Sequence, residues 1–348
     1  MVERIADGAS TFKAKVARPY MKAAVCNRYG PPDVIQIEDV QKPVPKDDEV
    51  LIKVRAASLN PADWHMKRGK PRIIRLMTGL RKPKDPQLGF DVAGQVEAIG
   101  RNVTQFKPGD EVFGSCRGAF AEYACALESA LVKKPHNVTF EAAAAVPIAA
   151  YTALQGLRDK GKLQPGQKVL INGAAGGVGT FTVQIAKWLG ADVTAVCSTR
   201  NMDLVRSIGA DRVIDYTQED FTTNGQRYDL IFDLVANHSF TAAMRVLKPK
   251  GIYVGAGVLG RPSMTGILTR LIMAPLSSRF VSQQVVMLLA RRSKDDLTMM
   301  SELMKTGKVM PVIDKCYRLN EVPEAIRYLE EKHARGKIVI VVEHLDKF

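Results

Sequence analysis

The chain has 348 residues, of which 46% are hydrophobic and 25% charged, and a formal net charge of +14. That balance excludes a disordered or collagen-like chain, and the length supports more than one hydrophobic core. The cysteines (Cys26, Cys116, Cys125, Cys197 and Cys316) are odd in number and form no CxxC pair, which argues against a disulfide framework and a four-thiolate zinc site, and no apolar run is long enough for a spanning helix.

Residues 1–20 mix Glu3, Arg4, Asp7, Lys13, Lys15 and Arg18 and lack the apolar core of a secretory signal, so a loosely docked extension is expected. From Met21 the pattern turns to short strands, predicted at 22–25, 34–38, 50–57, 94–99, 111–113, 119–124 and 130–133, with Pro and Gly between them. Many short strands of this kind suggest a partly closed β-barrel. A basic stretch interrupts them: Lys67, Arg68, Lys70, Arg72, Arg75, Arg81, Lys82 and Lys84. It reads either as a solvated face or as a surface for anions. An Ala-rich helix is expected over 142–156. Strands at 168–171, 192–197, 212–214, 230–234 and 252–254 then alternate with helices at 178–189 and 202–208, which predicts a parallel, doubly wound sheet. Residues 262–290 are apolar and Met-rich, with Arg270 and Arg279 interspersed, and read as mixed helix and strand at a surface. A helix over 295–305, a strand over 312–318, a helix over 322–332 and a strand over 337–342 complete the chain.

The strongest motif is residues 172–179, NGAAGGVG, which follows a buried strand and opens a helix. Gly173, Gly176 and Gly179 permit a sharp turn and a close approach to a pyrophosphate, with Ala175, Gly177 and Val178 completing the loop. The helix N-terminus adds free N–H groups and positive dipole. The alternative is a Gly-rich turn that serves packing only. The end of the second strand reads Cys197-Ser198-Thr199-Arg200, and no carboxylate follows it to repel a 2′-phosphate. Ser198 and Thr199 offer hydroxyl donors and Arg200 offers charge, unless Arg200 is only a surface residue opening the next helix. One charge-assisted hydrogen bond is worth about 1.5–3 kcal/mol, roughly 10- to 150-fold in affinity, so NADPH is expected over NADH.

With these segments in view, the chain resembles the medium-chain dehydrogenase/reductase superfamily over about residues 21–342. The resemblance rests on ASLNPADWHMKRG (57–69), LGFDVAGQVEAIG (88–100), FKPGDEVFG (106–114), AVPIAAYTAL (145–154) and the phosphate loop. It implies an α/β fold: a GroES-like β-barrel substrate domain from 21–145 and 313–348, and a Rossmann NADP-binding domain from 146–312. Zinc alcohol dehydrogenases of that superfamily carry a catalytic Cys, a His–Glu pair and a four-Cys lobe. Here Asn60 stands at the Cys position, Phe90 and Asp91 at the His and Glu positions, and no cysteine cluster follows Gly114. Zinc wants thiolate or imidazole ligands, so no metal is expected. The Asn60-Pro61-x-Asp63 stretch is similar to zeta-crystallin and related quinone reductases. That likeness implies hydride transfer from NADPH to a quinone or an α,β-unsaturated carbonyl, electrophiles whose conjugation makes a Lewis acid dispensable.

The resemblance also suggests site residues. Asn60 would orient the nicotinamide or donate to an oxyanion, or else stabilise the turn before Pro61. Asp63 would hold a water or a neighbour, or cap a helix. His65 stands where the quinone reductases often have a Tyr and would supply a proton, or be a plain surface residue. Thr152 would lie near the nicotinamide, or pack its helix. Tyr216 would flank the adenine or its phosphate. Val235, Ala236 and Asn237 would form the ribose–nicotinamide loop, and Gly255, Ala256 and Gly257 would let backbone approach the ring. Two other readings are a zinc-free NADP-dependent alcohol dehydrogenase and a non-catalytic NADPH-binding protein that uses its basic stretch on nucleic acid or a membrane surface. A homodimer through the nucleotide domain and a cytoplasmic location are expected.

Overall fold

The computed structural model describes residues 19–69, 74–256, 282–331 and 334–344. Strand β1 (Tyr20–Val25) pairs antiparallel with β2 (Gln36–Gln41). Strands β3 (Glu49–Ser58), β4 (Asp91–Ile99), β5 (Glu111–Ser115), β6 (Tyr123–Leu127) and β7 (Leu131–Lys133) share one sheet with the distant β14 (Ile313–Arg318) and β15 (Lys337–Val341). The order is β14-β15-β3-β4-β5-β7, with β6 also on β3. The last two strands complete this core, because Ile338 and Ile340 pack with Val50, Ile52, Val54, Val92 and Val112. Polymer connectivity alone does not require it; the apolar face of β3 does.

The second sheet is wholly parallel. It contains β8 (Lys168–Asn172), β9 (Asp192–Cys197), β10 (Arg212–Asp215), β11 (Tyr228–Asp233), β12 (Leu247–Gly255) and β13 (Gln284–Met287), in the order β10-β9-β8-β11-β12-β13. Strands such as β8 read as continuous apolar runs because helices cover both faces. The strand order reverses between β8 and β11, and ligands of such sheets bind outside the strand ends at that point.

Local sequence explains the helices. Helix α1 (Pro61–Arg68) starts with Pro61 at its first position and ends at Gly69, whose φ of 59° is left-handed. Helix α2 (Ile74–Thr78) follows it. The single helix expected over 142–156 is two, α3 (Phe140–Ala144) and α4 (Pro147–Leu154), because Pro147 has no N–H to continue the ladder. A π-helical stretch, Gln155–Lys160, extends α4. Helices α5 (Gly177–Trp188), α6 (Met202–Ser207), α7 (Phe240–Arg245), α8 (Lys294–Lys305) and α9 (Val322–Glu330) complete the described set. The helices α1, α2 and α7 had no counterpart in the sequence reading. Their short, mixed sequences carry little helical periodicity. Of the Met-rich stretch, residues 262–281 lie outside the described residues, and 284–287 form β13. Residues 1–18 also lie outside them. No helix among the described residues is long and apolar enough to cross a membrane.

Candidate active site

The phosphate loop joins β8 to α5 at the reversal point, and three of its four glycines, Gly173, Gly176 and Gly179, have three different surroundings. Gly173 has a φ of +90°, left-handed backbone that a side chain would strain. A Cβ on Gly179 would stand 2.2 Å from the Gly173 carbonyl oxygen, so this glycine lets α5 lie against the loop. At Gly176 the nearest atom to a Cβ is 3.6 Å away, so its surface is open. Gly176 is also the N-cap of α5, and no side chain caps the helix there. Turn, open approach and close packing are the three glycine duties of a dinucleotide loop, so the loop fits a pyrophosphate on structural grounds.

The first sheet holds a buried polar cluster. The Asn60 Nδ2 donates to Asp91 Oδ2 at 2.8 Å, and its Oδ1 accepts from the Lys337 ammonium at 2.7 Å. Lys337 also donates to the Leu59 carbonyl at 2.9 Å and lies 3.8 Å from Asp91 Oδ2. Asp91 accepts further bonds from the Ser58 hydroxyl at 3.1 Å and from the Ile148 N–H of α4 at 3.2 Å. The Asp63 carboxylate accepts from the Asn60 N–H at 2.7 Å, while its Oδ1 has no partner. Asp91 is 0%, Asp63 1% and Lys337 3% exposed. Burial raises the Asp91 carboxyl and lowers the Lys337 ammonium, and each opposes the other's shift by its charge. Burial pushes Asp63 up to about 7, against the Asn60 N–H that holds it down.

One residue joins the two halves. The side-chain stem of Lys337 passes 3.0 Å from where a Gly177 Cβ would be, and Gly336 bridges to Gly176. The return strand β15 therefore enters between the phosphate loop and Asn60, and brings a fixed cation with it.

Known proteins match both halves. A zinc-binding dehydrogenase family model matches residues 208–340, and an alcohol dehydrogenase GroES-like domain model matches 46–136. The chain is 36% identical to the NADPH-dependent alkenal/one oxidoreductase, chloroplastic, of Arabidopsis thaliana, over 92% of this chain and 79% of that protein. It is 35% identical to the chloroplast envelope quinone oxidoreductase homolog of the same plant, over 93% of this chain and 99% of that protein. Among solved structures, the quinone oxidoreductase from Coxiella burnetii superposes with a TM-score of 0.83 at 30% identity, over 93% of this chain and 100% of that one. The chain belongs to the medium-chain dehydrogenase/reductase superfamily, among its quinone and alkenal oxidoreductases.

In this superfamily member, His65 and Thr199 sit differently from the sequence expectation, while Asn60, Asp63, Thr152 and Arg200 take up the structural alternatives it left open. Both polar atoms of the Asn60 side chain are engaged by Lys337 and Asp91, so the residue is a fixed strut of the cluster. Asp63 lies in the first turn of α1 and holds its N-cap backbone. His65 is buried, not a surface residue, and its ring stacks on Trp64 with centroids 3.9 Å apart. The Thr152 hydroxyl donates to the Ile148 carbonyl one turn back in α4, so its proton is spent within the helix. The Thr199 hydroxyl points at Asp215 and shares a bond with Thr217, rather than standing free for a phosphate. Asp215 is thus a carboxylate near the end of β9 that the sequence reading missed, because it belongs to the neighbouring strand β10. Hydrogen bonds, the Thr199 hydroxyl first among them, hold Asp215 below the usual carboxylate range. Ser198 accepts a bond from Asn201, and Arg200 is exposed at the turn.

The loop after β11 is held by Asp233, also absent from the sequence candidates. Its Oδ1 accepts from Val235 N–H, Ala236 N–H and Asn172 Nδ2, and its Oδ2 from the Tyr253 hydroxyl. These bonds hold Ala236 at φ +58°, a rare conformation for a non-glycine residue. Asn172 also donates to Asn237 at 2.9 Å, tying this loop to the phosphate loop. Val235 and Tyr216 are 47% and 56% exposed at the strand ends. Gly255 does not offer open backbone: a Cβ there would meet the Met287 Sδ at 2.9 Å. Ala256 is buried, and Gly257 lies outside the described residues. Asp91, Lys337, Asp233 and Asn172 were legible as residue types. Only the fold brings Asp91 beside Lys337, and Asn172 beside Asp233.

Proposed function

We propose that this protein is an NADPH-dependent reductase that delivers hydride to a quinone or an α,β-unsaturated carbonyl without zinc. Bound NADPH supplies the hydride. Residues 173–179 would hold its pyrophosphate, Ser198 and Arg200 its 2′-phosphate, and residues 235–237 the ribose beside the nicotinamide. Asp233 and Asn172 keep that last loop in place, and the network from Asn60 to Lys337 keeps the barrel wall rigid opposite it. Preorganised walls of this kind bring donor and acceptor together, which is most of what a conjugated acceptor needs.

The observation that carries the zinc-free reading is the Lys337 ammonium. It lies 2.7 Å from Asn60 Oδ1 and 3.8 Å from Asp91 Oδ2, at the positions where zinc relatives would place ligands. A divalent ion would sit against a buried cation, and Asn60 and Phe90 stand where zinc relatives have a thiolate and an imidazole. The residues present do not fit zinc. The relatives named for NADPH, alkenals and quinones favour the same class of acceptor.

The same proposal divides the chain into a substrate unit (21–145 and 313–348) and a nucleotide unit (146–312). It pairs two copies through the nucleotide unit, where β13 is the outer strand of the parallel sheet among the described residues and Leu289 beside it is 88% exposed. Five unpaired thiols support a reducing compartment such as the cytoplasm. The test is a screen of quinones, enones and alcohols with NADPH and NADH in parallel, in the presence of a chelator. Chelator-resistant NADPH oxidation with an activated acceptor is expected. Turnover only with alcohols, or activity abolished by the chelator and restored by zinc, overturns the proposal.

A further inference from the structure

The basic stretch noted in the sequence has no role in the site described so far. From Trp64 to Lys84 the chain contains no Asp or Glu, against Lys67, Arg68, Lys70, Arg72, Arg75, Arg81, Lys82 and Lys84. Two large apolar side chains in the same stretch face water: Leu76 is 67% exposed and Leu80 is 69% exposed. Arg81, Lys82 and Lys84 beside them are also exposed, as is Arg28 on the neighbouring loop.

The display is fixed. The Tyr29 hydroxyl bonds the Thr78 hydroxyl at 2.7 Å and the Gly79 carbonyl at 2.6 Å. The Arg75 guanidinium lies over the Tyr29 ring, 4.7 Å from its centroid. The chain then folds back on itself, with Lys84 N–H donating to the Thr78 carbonyl at 2.8 Å. Gly79, at φ +121°, allows this reversal, since a Cβ there would meet the Lys82 carbonyl oxygen at 2.1 Å. Internal bonds of this kind hold the leucines outward instead of letting them fold under. The nearby acids are turned to other partners: Asp85 Oδ1 accepts from Gln87 N–H, and Glu330 pairs with Arg68.

We propose that the segment from Leu76 to Lys84 is a docking surface for an anionic lipid bilayer. Two leucines would enter the headgroup boundary while the surrounding Arg and Lys side chains meet the lipid phosphates and carboxylates. Apolar anchors within a basic rim are what such an interface selects. A nucleic acid would leave the leucines in water and would be served better by aromatic stacking, which this loop does not offer. The segment also lies between Asn60 and Asp91, two members of the buried cluster. Docking itself does not rest on the reductase reading, because vesicle binding requires no turnover.

The experiment is co-sedimentation of the full chain with mixed phosphatidylserine–phosphatidylcholine vesicles, with pure phosphatidylcholine vesicles and with duplex DNA. Binding to the anionic vesicles, weakened by salt, is expected. Each basic residue at such a surface contributes about fivefold, so the Arg81→Gln/Lys82→Gln double variant should bind about 30-fold more weakly. The Leu76→Ser/Leu80→Ser variant should lose on the order of tenfold, because apolar burial would be lost while charge is kept. Both changes are at exposed positions, so an unchanged unfolding midpoint serves as the folding control. Three results overturn the proposal: no preference for anionic vesicles at low salt, vesicle binding that survives both variants, or DNA binding tighter than vesicle binding and indifferent to the leucines.

Discussion

Replacing Lys337 by Met tests the centre of this structure. The substitution keeps most of the apolar stem that packs near Gly177, but removes the ammonium from Asn60, Leu59 and Asp91. Asp91, at 0% exposure, would keep its bonds from Ser58, Asn60 and Ile148 and lose its counter-charge. Breaking one side of a buried ion pair costs about 3–5 kcal/mol, a large share of the roughly 5–15 kcal/mol that holds a typical domain. The sign with pH follows from Asp91. Its folded-state pKa is already above the ordinary value, and loss of Lys337 raises it further. A raised carboxyl binds more protons folded than unfolded, so stability falls as pH rises from the unfolded pKa toward the folded one. Denaturant unfolding of Lys337→Met at about pH 5 and about pH 8 should therefore show the larger loss at the higher pH. Adding Asp91→Asn should recover much of it, because the pair is then replaced by neutral groups, and a double-mutant cycle reads this coupling directly. A loss below about 1 kcal/mol, equal at both pH values and unaffected by Asp91→Asn, would refute the account of Lys337 as the internal counter-ion.

The other predictions concern the rest of the site. Asp63→Asn keeps an acceptor for the Asn60 N–H and removes a carboxyl pushed up to about 7, so the variant should gain stability relative to wild type above neutral pH and little near pH 4, as measured by thermal unfolding across pH. Gly179→Ala should lose about 1–3 kcal/mol of stability through backbone overpacking. Gly176→Ala, where space is open, should keep the unfolding midpoint and weaken NADPH in a fluorescence titration; unchanged NADPH affinity there would remove the pyrophosphate assignment. Arg200→Ala should lower the ratio of kcat/KM for NADPH over NADH by roughly 10- to 150-fold, and an unchanged ratio would place the 2′-phosphate elsewhere.

Much of this molecule was decided locally. The loop Gly173–Gly179 has a spacing that suits a pyrophosphate turn, and the continuous apolar runs of β8, β9 and β11 report burial on both faces, so the parallel sheet and the turn at its strand ends were legible in order along the chain. Local rules also placed Pro61 and Gly69 at the ends of α1, although the helix between them was too short and too mixed in pattern to read. What sequence could not settle is what each polar group spends its hydrogen bonds on. Asn60 and Thr152 look like reactive groups in isolation, yet Lys337 and the Ile148 carbonyl occupy them. Thr199 turns to Asp215 because β10 lies beside β9, a neighbour relation that exists only once the sheet has formed. Lys337 reads as one lysine in a C-terminal strand. It becomes the cation of the site only because closing the apolar face of β3 draws β15 back across the whole chain, and desolvation then makes every charge it carries with it consequential.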